Sequence, residues 1–384
     1  MSDHDPEMEP ESDDIDIEAV TELGNSLIQS ILQKESLPSL QALIDDGAPL
    51  WYQDEDGTSA LHAAAYVENA RLVKLLIDEG AVWNAVDNLE NTAGDISLSL
   101  NNEECYTIIR DAGIRSELLL SLLSSRSTIS RTSSSFIIRD TDTSAAGSTD
   151  AFLSSRLRYT RDHRGQDICM LQLEDTEVGV MMGWEREIMH DTVEQLCSGH
   201  NKHERGLKIL NVGFGLGIID SFFQMHTPRT PPSLHVIIEP HPDVLQYMRE
   251  QGWYEKAGVV ILEGKWQDFI ESEALLGYGG FDAIYTDTFS EDYEALHDFF
   301  KHLPDLLAGP DSKFSFFNGL GATNALFYDV YTRLSELHLS DVGLDVQWSD
   351  VDVSAQDSEE RWGETRKYFT LPRYRLPIAK MRQT

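Results

Sequence analysis

The sequence predicts an α/β fold with a mostly parallel β-sheet, preceded by a small α-helical repeat domain. From about residue 150 to residue 384, short apolar runs alternate with helical segments, which is typical of a parallel sheet covered by helices. Before them, a spacing of 33 residues recurs, and a Ser/Thr-rich stretch separates the two parts. With 384 residues the chain is also too long for one ordinary core, so we expect more than one domain.

The chain is strongly acidic. Its 66 Asp and Glu residues outnumber its 30 Lys and Arg residues, which gives a formal net charge of −36. This balance argues against direct nucleic-acid binding, which needs a basic surface. Two interpretations stay open: the charge steers a basic protein substrate toward the chain, or it only keeps the surface solvated. Part of the charge lies in residues 1–19, which we expect to form a disordered acidic tail.

The sequence shows no targeting or metal-binding pattern. The N-terminus lacks the basic start and apolar core of a signal peptide, and no apolar run reaches the roughly eighteen residues that span a membrane. Cys105, Cys169 and Cys197 are far apart and have neither metal-ligand nor disulfide spacing. We therefore expect a cytoplasmic protein without a metal, with access to the nucleus also open, and we take a monomer as the default.

A repeat occupies residues 20–115. The glycines that mark it are 33 residues apart, at Gly47, Gly80 and Gly113. This is the ankyrin period, and Ser59–His62 resembles the ankyrin T-P-L-H signature, in which the histidine organises a turn by hydrogen bonding. We therefore interpret His62 as structural. Ankyrin-like repeats leave a concave surface, so this domain either docks a protein partner or has a purely structural role.

A Ser/Thr-rich stretch at residues 116–149 predicts a flexible linker, and residues 150–384 predict one α/β domain. Two late runs, Val342–Trp348 and Lys367–Leu371, alternate apolar and polar residues and predict a closing antiparallel pair. The predicted parallel strands are Lys208–Val212, Leu234–Ile238, Val259–Leu262, Ala283–Tyr285 and Lys313–Phe317.

Residues suited to chemistry follow the predicted parallel strands. In such a sheet a ligand lies across the carboxyl ends of the strands. Three glycines within Gly213–Gly217 follow the first strand, so the backbone there can approach a ligand closely. Glu239 ends the second strand and can accept both hydroxyls of a ribose, while Trp266 after the third offers a face for adenine. Asp287 follows the fourth strand and would emerge over the centre of the site.

These patterns are compatible with more than one nucleotide-like ligand. The spacing G-x-G-x-G differs from the G-x-G-x-x-G of NAD-binding proteins, and no obvious acid/base group for hydride transfer follows it. A methyltransferase needs only a bound sulfonium, a positioned nucleophile and a water-poor pocket. We therefore favour S-adenosylmethionine as the cofactor.

Five segments occur in one order that identifies a family. They are Val180–Met189, Val212–Ile219, Ile238–His241, Leu262–Asp268 and Tyr285–Phe289. The series resembles guanidinoacetate methyltransferase and, with the repeats before it, resembles more closely the fungal protein arginine N5-methyltransferases (type IV). The resemblance implies a class I S-adenosylmethionine-dependent methyltransferase fold with a mostly parallel seven-stranded sheet. It also implies methylation of the δ (N5) nitrogen of arginine in a protein substrate, which the family suggests is a ribosomal protein.

The resemblance also implies roles for individual residues. Asp287 would face the sulfonium and the incoming guanidino group, Glu239 would hold the ribose, and Glu185 or Glu187 would help to clamp the guanidinium. Glu185 could equally be a structural carboxylate. The residues expected to contact the cofactor are Tyr159, Met189, Gly213, Phe214, Gly215, Leu216, Gly217, Ile218, Ile219, Glu239, Pro240, His241, Trp266, Gln267 and Asp287.

One residue departs from the guanidinoacetate methyltransferase pattern. Where that family has a substrate-binding glutamate, this sequence has Met182. A free guanidino substrate should need that acid, so its absence favours a protein-bound arginine. A small-molecule guanidino methyltransferase and a non-catalytic ankyrin scaffold are the two alternatives.

Overall fold

The computed structural model describes residues 17–126 and 147–382, apart from 163–164, 174–176, 201–205, 227–230, 355–364 and 366. Residues 1–16 of the predicted tail and residues 127–146 of the predicted linker lie outside this part. The chain divides into two compact units, Met1–Leu119 and Leu120–Thr384.

The N-terminal unit is built from helices joined by short hairpins. Its helices are α1 (Ile17–Leu32), α2 (Leu37–Asp45), α3 (Ala60–Tyr66), α4 (Ala70–Asp78), α5 (Ala93–Ser99) and α6 (Glu103–Arg126). The antiparallel bridges Gln53↔Ser59 and Val86↔Thr92 form the hairpins before α3 and α5. The helices bury apolar residues on one face, as repeats that stack on each other require. Helix α6 continues past residue 115, where the linker was predicted to begin.

His62 links two repeats. Its Nδ1 accepts the Ser59 N–H at 3.2 Å and lies 2.7 Å from the Ser59 hydroxyl, while its Nε2 lies 3.0 Å from the Asn91 carbonyl oxygen of the next hairpin. The backbone donor places the ring proton on Nε2, which then donates to Asn91. Burial lowers the pKa of His62 and so favours the neutral ring. These contacts confirm its predicted structural role.

The C-terminal unit contains eight α-helices and ten β-strands among its described residues. Its helices are α7 (Thr149–Leu153), α8 (Arg186–Cys197), α9 (Ile218–His226), α10 (Pro242–Glu250), α11 (Trp266–Phe269), α12 (Glu273–Leu276), α13 (Tyr293–Leu306) and α14 (Ala325–Asp341). Its strands are β1 (Leu157–Arg161), β2 (Asp167–Gln172), β3 (Glu177–Met181), β4 (Lys208–Val212), β5 (Leu234–Glu239), β6 (Val259–Glu263), β7 (Ala283–Thr286), β8 (Lys313–Phe316), β9 (Leu344–Asp352) and β10 (Arg373–Met381).

The main sheet has seven strands in the order β6-β5-β4-β7-β8-β10-β9. Strands β4 to β8 run parallel, and β10 is antiparallel to both β8 and β9. This confirms the predicted fold class and the five predicted parallel strands. A second sheet, the antiparallel β1-β2-β3, was not predicted.

Helices cover both faces of the main sheet. Ile209 and Tyr285 pack in one apolar cluster with residues of α8 and α9, whereas Leu210 and Ile284 pack in another with residues of α13. Neighbouring residues of a strand point to opposite faces, so the two clusters lie on the two sides of the sheet. Both faces are therefore buried, which explains the near-continuous apolar runs in the sequence.

Only one of the two strands predicted for the closing antiparallel pair is confirmed. The first predicted run overlaps β9, but Lys367–Leu371 is not a strand, and the partner of β9 is Arg373–Met381. Pro377 lies in this strand opposite Trp348. A proline argues against a strand when only the sequence is read, and the pairing with β9 on one side and β8 on the other overrides that preference.

The parallel strands end at one edge of the sheet. Val212 is in register with Ile238 of β5 and with Thr286 of β7, and Thr286 is in register with Phe316 of β8. The loops that follow these four strands therefore meet, as a ligand site in an α/β sheet requires. Within the part of the chain that the structure describes, no helix has the length and apolar content needed to cross a membrane.

Candidate functional site

A cavity of about 490 Å³ opens at this edge of the main sheet. Small-molecule sites have volumes of roughly 300–1,000 Å³, so the cavity is large enough for a cofactor and a side chain. Residues at the ends of four parallel strands, or just after them, line it, among them Val212, Gly213, Gly215, Ile238, Glu239, Pro240, Thr286, Asp287, Phe317 and Gly319.

The glycine loop lies against the loop after β7. Gly213 has φ +90°, and a Cβ atom at this position would lie 2.0 Å from the carbonyl oxygen of Asp287. The Asp287 N–H donates to the Val212 oxygen, and the Gly213 N–H donates to the Ile238 oxygen, each at 2.9 Å. Any side chain at Gly213 would therefore separate the ends of the central strands.

Glu239 joins the glycine loop to the start of α10. Its Oε2 accepts the Phe214 N–H and its Oε1 accepts the His241 N–H, both at 2.8 Å. Burial raises the pKa of Glu239 to about 7, although these N–H bonds favour the charged form. The Gly215 N–H also donates to this carboxylate. A carboxylate has about four acceptor positions, so Glu239 can hold the loop and still accept from a ligand hydroxyl.

A buried polar chain under the glycine loop was missed by sequence reasoning. Asn211 Nδ2 donates to the Gly213 oxygen at 2.9 Å and to both carboxylate oxygens of Asp220, at 2.8 and 2.9 Å. His235 Nε2 lies 3.1 Å from Asp220 Oδ1. The sequence feature that could have predicted this polar chain is Asn211, a polar residue within the apolar run Ile209–Val212. A buried polar residue needs hydrogen-bond partners.

Glu291 organises the wall that contains Trp266. Trp266 Nε1 lies 3.0 Å from both carboxylate oxygens of Glu291, and Gln267 Nε2 donates to Oε1 at 2.9 Å. Trp266, Gln267 and Glu291 all line the cavity, whereas Asp268 does not. Trp266 is only 4% exposed and packs edge-on against Phe299, so it is both a core residue and part of the wall.

Helix α7 forms another wall of the cavity. Lys265 Nζ pairs with Asp150 Oδ1 at 2.8 Å, and His241 Nε2 donates to the Phe152 oxygen at 3.1 Å. The ring of Phe152 packs on Phe289, with centroids 4.7 Å apart. The buried Phe152 therefore lies in the cavity wall, whereas Tyr159, which we expected to contact the cofactor, does not.

Two carboxylates share the cavity. Glu185 is 2% exposed, Asp287 is half-buried, and both line the wall. Burial raises the pKa of each, and the nearby charge of Asp287 raises the pKa of Glu185 further. A cation placed between them would relieve this repulsion, so the pair suits a positively charged ligand group.

Several residues predicted to contact the cofactor lie behind the cavity wall. Tyr159 stacks on Tyr247 at 4.1 Å, and its hydroxyl approaches the Gly215 oxygen at 3.5 Å. His241 caps α10 by accepting the Asp243 N–H at 3.1 Å. The predicted residues that the structure does not place in the cavity wall are Tyr159, Met189, Phe214, Leu216, Gly217, Ile218, Ile219 and His241.

The methionines of the Val180–Met189 segment point in different directions. Met181 lines the cavity, and its Sδ accepts the Leu216 N–H at 3.2 Å. Met189 lies in the core with no exposed surface, so Met181 occupies the position that we predicted for Met189. Met182 packs toward Gly179 and lies outside the cavity wall, whereas Glu185 lies in it. The preference for a protein-bound arginine that we drew from Met182 therefore stays a prediction.

Comparison with family models supports both parts of the chain. Residues 160–338 match the family described as guanidinoacetate N-methyltransferase. Residues 28–77 match the ankyrin repeat family. A putative methyltransferase structure from Thermoplasma acidophilum shares 16% identity at a TM-score of 0.33 and covers 46% of this chain and 69% of its own, which is too distant to carry an argument.

The chain is also similar to fungal proteins over most of their length. It is 44% identical over 362 residues to protein arginine N-methyltransferase 2 of Cryptococcus neoformans, covering 90% of this chain and 92% of that protein. It is 34% identical over 427 residues to the protein of the same name in Aspergillus fumigatus, covering 92% and 96%. These relatives cover both the repeats and the α/β domain, and the chain belongs to the protein arginine N-methyltransferase 2 family of methyltransferases.

Proposed function

We propose that the chain transfers a methyl group from S-adenosylmethionine to the δ (N5) nitrogen of an arginine in a basic protein. The observation that carries this proposal is the pair of carboxylates, Glu185 and Asp287, in the cavity that also contains Gly213 and Gly215. A guanidinium is a planar cation with a fork of N–H donors, and it suits two carboxylates better than any neutral group does.

The chemistry of the wall fits S-adenosylmethionine. Gly213 and Gly215 offer backbone without side chains, and Glu239 offers acceptor positions for ribose hydroxyls at the end of β5. The rim of Trp266 and the Gln267 amide border the same space. When bound, the cofactor would supply an electrophilic methyl group on a sulfonium. The protein would contribute the position of the acceptor and the exclusion of water.

The carboxylates would activate the acceptor. A free guanidinium is protonated and its nitrogens are poor nucleophiles. Glu185 and Asp287, by accepting hydrogen bonds from the two terminal nitrogens, would localise the positive charge there and leave the δ nitrogen more electron-rich. The new N–C bond forms as the S–C bond breaks, and the proton of the δ nitrogen must leave. A carboxylate with a raised pKa is a suitable acceptor for it.

A protein substrate is supported by the rest of the chain. Ankyrin repeats bind proteins on their concave surface, and the net charge of −36 favours a basic partner. We propose a basic protein of the ribosomal class as the first candidate.

A labelling experiment tests the proposal. The full chain is incubated with methyl-labelled S-adenosylmethionine and either a ribosomal protein extract or guanidinoacetate, and acid hydrolysates are separated. We expect labelled δ-monomethylarginine in the protein fraction, and at least about 100-fold less of it when Asp287→Asn replaces the wild type. Label on a terminal arginine nitrogen would contradict the proposed selectivity. Labelled small product would favour the guanidino alternative, and no label in any fraction would favour the scaffold.

A further inference from the structure

Tyr368 contacts the carboxylate of Glu185 inside the cavity. It lies in the segment before β10, lines the cavity, and donates its hydroxyl to Glu185 Oε1. The same oxygen accepts the Met182 N–H at 2.9 Å. Among the described residues, the hydrogen bonds to Glu185 therefore fall on Oε1, and Oε2 is left to accept from a ligand.

The segment that carries Tyr368 is fixed by the two residues that follow it. The next residue, Phe369, has no exposed surface and packs in the core near Trp184, with ring centroids 5.9 Å apart. The Thr370 N–H donates to the Ala322 oxygen at 3.0 Å. The ring of Tyr368 itself lies 5.9 Å from that of Trp184. The hydroxyl is therefore held at Glu185 by packing that does not involve the carboxylate.

We propose that Tyr368 is a positioning residue for methyl transfer: its hydroxyl fixes the Glu185 side chain, with Oε2 turned to the substrate guanidinium. This inference rests on the proposed function. A hydroxyl donor favours the charged form of a carboxylate, and Glu185 needs such a donor because its surroundings oppose its charge. Burial and the charge of Asp287 oppose its ionisation, and the buried Tyr285 and Tyr374 lie nearby. The other charged neighbours are the exposed Lys367 of the cavity wall and, along the chain, Arg186 and Glu187; the two cations favour the ionised form.

The test compares Tyr368→Phe with a matched control. Phenylalanine keeps the ring against Trp184 and removes the hydroxyl. Tyr254→Phe is the control, because the Tyr254 hydroxyl also donates to a glutamate oxygen, Glu263 Oε1 at 2.7 Å, but outside the cavity wall. The readouts are the initial rate of label transfer to limiting ribosomal protein extract from pH 5.5 to pH 9, and the calorimetric Kd of S-adenosylmethionine.

We expect Tyr368→Phe to lose about 10-fold in rate near neutral pH, as removal of one hydrogen bond to a charged group predicts. Without the donor the pKa of Glu185 rises, so the acidic limb of the pH–rate profile should move to higher pH and the loss should shrink in alkali. The cofactor Kd and the Tyr254→Phe profile should stay within about two-fold of wild type, since removal of one hydrogen bond outside the cavity touches neither ligand.

Two results would overturn the inference. One is a wild-type profile in Tyr368→Phe. The other is a loss of the same factor at every pH, which a structural role would produce. Absence of label with the wild-type enzyme would instead reject the proposed function, so the two failures are distinguishable.

Discussion

The backbone of Gly213 and the carbonyl of Asp287 are so close that a Cβ atom on Gly213 would lie 2.0 Å from the Asp287 oxygen. This contact joins the loop proposed to hold the cofactor to the residue proposed to hold the substrate. The positions proposed for both ligands therefore depend on the absence of a side chain at residue 213.

Gly213→Ala should destabilise the protein and weaken cofactor binding. A left-handed φ costs an alanine about 1–2 kcal/mol, and the clash with Asp287 adds to this cost. Gly343→Ala is the matched control, because Gly343 has φ +83° but no atom lies within 4 Å of the position that its Cβ would take. Thermal unfolding and calorimetry should show a Kd raised more than about 10-fold in Gly213→Ala only, since the displaced backbone borders the cavity. Equal effects in both variants would contradict the close contact.

Asp287→Asn should reduce methyl transfer by about 100-fold or more, because it removes one charge of the pair that clamps and deprotonates the guanidinium. Asp287→Ala should abolish transfer and leave the fold intact. The control is Asp268→Asn, which changes an exposed carboxylate outside the cavity wall. Label transfer measures the effect, and near-wild-type turnover in Asp287→Asn would remove Asp287 from the proposed mechanism.

Glu239→Gln should raise the cofactor Kd by about 10- to 100-fold. Its amide would direct a donor at a backbone N–H of the glycine loop and leave one acceptor fewer for the ribose. Glu263→Gln is the control, since Glu263 of β6 is paired in register with Glu239 and is exposed. An unchanged Kd in Glu239→Gln by calorimetry would refute the ribose role.

The free energy of unfolding should fall as pH rises toward neutrality, in part because of Glu239. Its pKa of about 7 in the folded chain lies above its ordinary value of 4.5. The folded state therefore binds more protons between these values, and this contribution to stability is present below pH 4.5 and lost as pH rises through 7. Denaturant unfolding at pH 5 and pH 8 should show a smaller pH difference in Glu239→Gln than in wild type.

The rate of methyl transfer should change with pH in the opposite direction. Glu185 and Asp287 must be ionised to bind a guanidinium, and burial raises the pKa of both above their ordinary values. Activity should therefore decline as pH falls below neutrality, well above pH 5. If the rate fell only near about pH 4, the ordinary carboxylate range, ionisation of Glu185 and Asp287 would not control the rate of methyl transfer.

How much the sequence could predict is clear around the glycine loop. The run before Gly213 is apolar and bounded by glycine, and β4 has the predicted bounds, Lys208–Val212. Glu239 and Asp287 were found because parallel strands end at one edge, so their sequence positions already imply their place in the sheet.

Contacts across long sequence distances could not be predicted. Glu291 holds Trp266, and Tyr368 holds Glu185, although neither partner follows from a local pattern. Met181 and Met189 show the same limit within one segment. Both lie in the segment Val180–Met189, but only the packing of β3 and α8 decides that Met181 faces the cavity and Met189 the core.

The sequence by itself determined the repeat, the parallel sheet and the strand-end residues Gly213, Glu239 and Asp287. These features depend on local periodicity and on backbone conformations that few residues adopt. Only the tertiary structure decided that Glu185 shares the cavity with Asp287. Glu185 ends the short 3-10 turn Gly183–Glu185 before α8, and packing in the tertiary structure brings this turn to the strand end that carries Asp287. No spacing in the chain encodes which turn meets which strand end.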